Sequence, residues 1–256
     1  MIEAYFDCSS PWTYLAFEGL LSLSEELDVP VEWKPILVGG IFNTVNPSVY
    51  AQRADPVPAK ARYMLKDLGD WARHAGLKIR FPPSVFPVNS VKVMRGCLHL
   101  APRGQLVPFA RAAFEAYWGD DLDMSKDEVV AEICRRAGVD ADDLFAGIAR
   151  PEVKDQLRVN TEAVVARGGF GSPTIFVGGT DMYFGNDRLP LVREAVLRAR
   201  AGGGIPKFEE TTAPLSMEAL LHFNPPKGDR EPGAPATVSR ARAGKLASFP
   251  VDLGAT

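Results

Sequence analysis

The chain has 256 residues, 46% hydrophobic and 24% charged, too long for a usual single domain and short for two. One enlarged domain, or a domain with an insertion, is therefore expected, soluble and compact. A formal charge of −3 gives no general attraction to phosphate backbones or anionic lipid, so nucleic acid is not an expected partner.

No apolar run reaches the roughly 18 residues that span a bilayer, and Met1 to Phe6 runs directly into a strand pattern without a secretory signal, so a cytoplasmic protein without membrane attachment is expected. Cys8, Cys97 and Cys134 contain no CxxC pair and no disulfide framework. His74, His99 and His222 are too scattered for metal-ligand spacing, and no metal site is expected.

Residues 2 to 7 read as a short strand, and Ser10-Pro11 opens a helix whose Trp12, Leu15, Ala16, Leu20 and Leu23 recur at helical spacing. Val31 to Leu37, bounded by Pro30 and Gly39-Gly40, reads as a second strand, completing a β-α-β start. From Pro58 to Ala149 the pattern is helical, with Tyr63, Leu65, Leu68 and Trp71 in one run and Phe109, Ala113, Phe114 and Tyr117 in another. Residues 151 to 167 predict a further helix. Pro173 to Val177, Gly178-Gly179 and Met182 to Phe184 predict a hairpin, and Asp187 to Arg200 a last helix.

The order gives an α/β chain with a thioredoxin-like layout: residues 1–57 and 151–200 form the thioredoxin-like domain and 58–150 a large helical insertion. Residues 201–256, with Gly202-Gly203-Gly204, repeated prolines and a basic stretch from Arg240 to Lys245, read as a mostly irregular C-terminal tail with one short docked helix at Leu215 to Phe223.

Three segments carry candidate chemistry. In Cys8-Ser-Ser-Pro-Trp-Thr-Tyr14, Ser10 is placed as a helix N-cap and Pro11 as the first helical residue. That pattern is a common helix start in its own right. It also sets unpaired amides and the positive dipole end where an anion such as a thiolate is favoured. A hydroxyl donating to a charged partner contributes ~1.5 to 3 kcal/mol, and the helix end ~0.3 to 1 more. Together they lower a bound thiol by about one to two pKa units, enough to ionise much of it at neutral pH.

In Gly168-Gly-Phe-Gly-Ser-Pro-Thr174, Ser172-Pro173 is either a simple trans turn ahead of a strand or a cis bond. The cis form turns the N–H and C=O of Ser172 outward, able to pair with a peptide ligand as an added strand would. In Phe184-Gly-Asn-Asp-Arg-Leu189, Asn186 or Asp187 either caps the final helix or holds the zwitterionic end of a ligand.

In this order the segments resemble the family of 2-hydroxychromene-2-carboxylate isomerases and kappa-class glutathione transferases, related to DsbA-type disulfide oxidoreductases. The resemblance covers residues 2 to 200. It rests on Phe6-Asp7 with Ser10-Pro11-Trp12-Thr13-Tyr14-Leu15, on Lys34 to Leu37 with Gly40-Ile41-Phe42, on Pro87 to Ser90, on Phe170 to Thr174 and on Phe184 to Arg188.

The resemblance implies a DsbA-type thioredoxin-like fold, glutathione as cofactor, a homodimer and a small-molecule aromatic substrate. It further implies that Ser10 holds the glutathione sulfur in place of the attacking cysteine of redox relatives, with Thr13 in the second cysteine's place. Ser172 and Pro173 pair with the cysteinyl part, Asn186 and Asp187 hold the γ-glutamyl end, and Lys60 and Asn46 line the glutathione or substrate site. Trp12, Tyr14, Phe42 and Asn89 are the candidates for the substrate slot.

Asn43 departs from the family pattern, which often has a lysine there, and the tail beyond residue 200 has no counterpart. The implied activity is glutathione-dependent cis-trans isomerisation of an aromatic conjugated acid. Conjugation of glutathione to an electrophile and a non-catalytic binding module remain the alternatives. Cys8 reads as a small buried residue at a strand end.

Overall fold

The computed structural model describes residues 1–204, so the expected tail helix at Leu215 to Phe223 and the basic stretch from Arg240 lie outside the described residues. The chain begins with β1 (Ile2–Phe6), α1 (Pro11–Leu27) and β2 (Val31–Pro35). β1 and β2 run parallel, with Ile2 opposite Val31 and Phe6 opposite Pro35. The second strand is shorter than its apolar pattern, and Gly39-Gly40 fall within α2 (Val38–Thr44). A short α3 (Ser48–Ala54) leads to the helical segment: α4 (Pro58–His74), α5 (Val91–Leu100), α6 (Leu106–Phe114), a π-helical turn at Glu115–Gly119, α7 (Asp127–Ala137) and α8 (Ala141–Ala149). The chain returns through α9 (Pro151–Ala166) to the hairpin β3 (Thr174–Val177) and β4 (Asp181–Phe184), and then α10 (Leu189–Arg200).

The sheet order is β2-β1-β3-β4, with β3 antiparallel to β1. This is the expected thioredoxin-like sheet, with β1 buried at its centre. Side chains alternate across a strand, so one face of β1 sends Ile2 and Ala4 against Leu20 and Leu23 of α1 and Val192 and Val196 of α10. Tyr5 on the other face joins Ile41 of α2, Val164 of α9 and Phe176.

The helical segment has no core of its own apart from the sheet. Phe109, Phe114, Tyr117 and Trp118 form one cluster with Phe6, Cys8, Tyr14 and Phe17. The Trp118 indole donates to the Cys8 carbonyl at 2.9 Å, so the insertion is bonded directly to the loop that leads into α1. The α4 run behaves otherwise: Leu68 is buried, while Tyr63 and Leu65 are exposed, because only one side of this helix has a neighbour to cover it.

Arg167, just after α9, ties the sheet together. Its guanidinium bonds the Glu3 carboxylate at 2.7 and 2.9 Å and the Tyr5 hydroxyl at 2.7 Å, and lies 3.7 Å from the Phe176 ring centre. That bond holds the Glu3 carboxyl below its ordinary value. Its contribution to stability is therefore present above the unfolded pKa of 4.5 and is lost as pH falls through the lower folded value. Arg167→Ala is expected to cost about 2 kcal/mol in urea unfolding near neutrality. The difference from the unaltered protein should shrink as pH falls from 4.5 through the lowered value of Glu3, which then becomes protonated.

Candidate functional site

The site forms where three chain segments meet at one end of the sheet: the loop after β1, the first turn of α1 and the turn before β3. Ser10 is the N-cap of α1, its side chain accepting the Thr13 N–H at 3.2 Å, with Pro11 in the first turn. The same Ser10 hydroxyl donates to the Ser172 carbonyl at 3.3 Å, and the Ser172-Pro173 bond is cis. The Ser172 Oγ lies 2.8 Å from the Thr13 hydroxyl and accepts the Asp7 N–H at 3.0 Å. Ser10 is half-buried, whereas Thr13 and Ser172 are buried.

Asp7 lies beneath this cluster, 1% exposed. Its carboxylate accepts the N–H of Ser9 and that of Val38, both at 2.9 Å. Burial raises the carboxyl above its ordinary value, and the two N–H donors offset part of that shift. Burial also pushes the Cys8 thiol well above its ordinary value, and contact with Cys97 adds to the effect. Cys8 is therefore a protonated core residue, as its position at a strand end implied.

Gly185 brings the Asn186-Asp187 pair into the same region. Its N–H donates to the Pro173 carbonyl at 3.3 Å with φ at 103°, and a Cβ there would stand 2.7 Å from the Asp187 carboxylate. Neither residue caps the final helix. α10 begins at Leu189 after a 3₁₀ turn over Asn186–Arg188, and its cap position, Arg188, makes no side-chain cap bond. Asn186 is buried, while the exposed Asp187 pairs with Arg188.

The substrate-side residues divide. Asn46 donates to the Phe170 carbonyl at 3.2 Å, and Phe42 lies against Gly171, whose added Cβ would meet its ring at 3.9 Å. Both therefore adjoin the turn that carries Ser172. Trp12 is half-buried in the first turn of α1. Tyr14 is 3% exposed and stacked on Phe114 at 4.9 Å, so it is a core residue rather than a slot wall, because helical spacing turns it toward α6. Asn89 is exposed one residue before the cap position of α5, Ser90, and accepts the Val91 N–H at 3.0 Å. Lys60 stands exposed on the first turn of α4, without an ion-pair or hydrogen-bond partner among the described residues.

The sequence reading gave no chemical part to Asp7, Phe86 or Arg53. Asp7 carried a signal, an acidic residue at the end of an apolar strand, whereas Arg53 lies over the rings of Phe42 and Phe86, contacts between elements far apart in the chain.

The DSBA-like thioredoxin domain model matches residues 1–197. The chain belongs to the DSBA-like thioredoxin domain family. It is similar to human glutathione S-transferase kappa 1, 28% identical over 203 residues that cover 75% of this chain and 88% of the relative. It is also similar to the 2-hydroxychromene-2-carboxylate isomerase of Sphingobium xenophagum, 29% identical over 204 residues, 77% of this chain and 97% of the relative. A solved 2-hydroxychromene-2-carboxylate isomerase structure shares the fold with a TM-score of 0.66 at 24% identity, covering 78% of this chain and 98% of its own. Within this family the helix start of the present chain carries Ser10 and Thr13, with no cysteine at either position.

Two predictions follow from the cluster. Ser172→Ala leaves the buried Asp7 N–H without its acceptor and should cost about 1 to 3 kcal/mol in denaturant unfolding, with Thr13→Val costing less because no backbone donor is orphaned. Because the folded pKa of Asp7 is raised, stability should fall as pH rises from 3.8 through that higher value and then level off. Asp7→Asn should remove this segment from the stability-pH curve.

Proposed function

We propose that the chain is a glutathione-dependent enzyme that isomerises an aromatic conjugated acid of the 2-hydroxychromene-2-carboxylate type, with Ser10 the residue that holds the glutathione sulfur as a thiolate. The observation that carries this reading is the junction of a helix N-cap hydroxyl with a cis-proline turn that offers backbone to a peptide. Among the described residues nothing accepts the Ser172 N–H, although Ser172 is only 8% exposed. At the first turn of α1 the Trp12 N–H has no intrahelical acceptor. These groups fit a γ-glutamyl-cysteinyl peptide: extended backbone against Ser172, sulfur at Ser10, and the amino-acid end toward Asn186 and Asp187. The exposed ion pair of Asp187 with Arg188 is weak enough to be exchanged for a ligand ammonium.

When bound, glutathione supplies a nucleophilic sulfur that adds to a conjugated double bond, permits rotation and leaves unchanged. The protein's part is to hold that sulfur ionised. The Ser10 Oγ can turn its proton from the Ser172 carbonyl to the sulfur, while its lone pair keeps the Thr13 N–H. The dipole end of α1 adds to the anion's stability. Ser172, fixed by the Asp7 N–H and the Thr13 hydroxyl, keeps the peptide-binding backbone in register with Ser10. Asn46 and Lys60 are the donors available to a developing enolate, and Phe42 and Trp12 the apolar surfaces available to a ring. A cytoplasmic homodimer remains part of this proposal; among the described residues, no helix is long and apolar enough to cross a membrane.

Transferase chemistry uses the same site and differs only in whether the adduct leaves intact, and several relatives are named kappa transferases. Millimolar glutathione is expected to raise the melting temperature, and its absence of effect would leave a binding module. Ser10→Ala should lower glutathione-dependent turnover roughly ten- to hundredfold, corresponding to a lost hydrogen bond to a charged atom, with the fold intact and its stability lowered by only about 1 kcal/mol through loss of the N-cap. Unchanged turnover removes Ser10 from the mechanism. Mass analysis of the product separates isomerisation from conjugation.

A further inference from the structure

We propose that Arg53, held between the rings of Phe42 and Phe86, is the receptor for the carboxylate of an aromatic acid and thereby sets substrate specificity. The proposal deepens the functional reading above and rests on it for the position of the reacting centre. The guanidinium carbon lies 5.5 Å from the centre of the Phe42 ring and 5.2 Å from that of Phe86. The two rings belong to different elements of the chain. Phe42, on α2, adjoins Gly171, the neighbour of Ser172. Phe86 precedes α5 and packs on Phe81 at 5.3 Å and on Trp118 at 6.4 Å, whose indole is bonded to the carbonyl of Cys8, two residues before Ser10.

Arg53, on α3, thus bridges two rings whose contacts each trace back to one half of the Ser10-Ser172 pair. Its charge is uncommitted among the described residues. Arg73, Arg111 and Arg158 each pair with a carboxylate, whereas Arg53 has no carboxylate within ion-pair reach, not even Asp55 two residues on.

A guanidinium flanked by ring faces keeps its N–H fork at the edge, where it is not consumed by the rings and suits the plane of a carboxylate. The rings in turn are the surfaces against which an aromatic body would lie. Beside Phe42 on these short helices, the Tyr50 hydroxyl donates to Asn43 at 2.8 Å, and Asn43 carries no charge. A neutral electrophile would gain the rings but not the fork, so the arrangement selects for aromatic acids.

The test compares trans-cinnamate with cinnamamide, which differ in charge at nearly equal shape, by calorimetric titration of the full chain with and without saturating glutathione. The unaltered protein is expected to prefer cinnamate. Arg53→Gln should weaken cinnamate roughly ten- to hundredfold and leave cinnamamide unchanged. Arg53→Lys should recover part of the loss, retaining charge without the fork. The glutathione-induced melting shift should be the same in all three proteins.

Equal binding of cinnamate by the unaltered and Gln proteins, no preference for the acid over the amide, or parallel loss of both probes and of the glutathione shift would each overturn the proposal. Arg53-dependent cinnamate binding without any glutathione shift would keep the receptor and remove the glutathione reading instead.

Discussion

One side-chain oxygen, the Ser172 Oγ, fixes the relation between the two ends of the folded region. It accepts the Asp7 N–H at the end of β1 and shares a proton with Thr13 on α1, joining positions 165 and 159 residues apart in the chain. Neither contact belongs to the sheet ladder. Without them, β3 would still pair with β1 from Tyr5 onward, but the turn ahead of it would have no reason to lie against the first turn of α1. The half-buried Ser10 donates to the carbonyl of that same Ser172, so the spacing between the anion-favouring helix end and the peptide-offering turn is set by groups that are themselves buried and satisfied.

Asp7 extends the constraint to the other side of the site. Its carboxylate binds the first N–H of α2, and Leu37, just before, donates to the Thr161 hydroxyl of α9 at 3.0 Å. The Asn160 amide holds the Pro35 carbonyl at the end of β2. α2 is therefore placed by polar bonds to β1 and α9; it presents Phe42 and leads into the loop that carries Asn46. A buried acid with a raised pKa is costly to keep ionised. Its place here follows from the two backbone donors it satisfies, which have no other acceptor where a strand end meets a helix start.

The sequence made the scaffold of this arrangement readable because each piece is local. The Ser-Pro helix start, the β-α-β opening, the glycine turn of the late hairpin and the run of helices between them depend on neighbours a few residues apart. What was not readable depended on distant partners. Nothing near Asn186 says that a 3₁₀ turn will intervene and move the start of α10 to Leu189. Helical period alone gives Tyr14 and Trp12 similar standing, and only the position of Phe114 makes one core and leaves the other half-buried. Tyr63 and Leu65 have the spacing of a buried stripe yet stand exposed, since period describes a face without saying whether anything covers it. The association of Arg53 with Phe42 and Phe86 crosses three elements and has no local signature at all.

The cysteine placement gives the chemistry its direction. A thioredoxin-type helix start is built to stabilise a sulfur anion, and in this chain the position nearest the helix end carries a hydroxyl. The thiol closest in sequence, Cys8, is fully buried, protonated by burial and by contact with Cys97, and lies on the side of the loop that packs against Trp118 and Met94. It has neither the ionisation nor the access that disulfide exchange requires. On the proposed reading, an anion-stabilising helix end without a sulfur of its own takes an external one, and the backbone donor left open at Ser172 beside it pairs with a short thiol peptide.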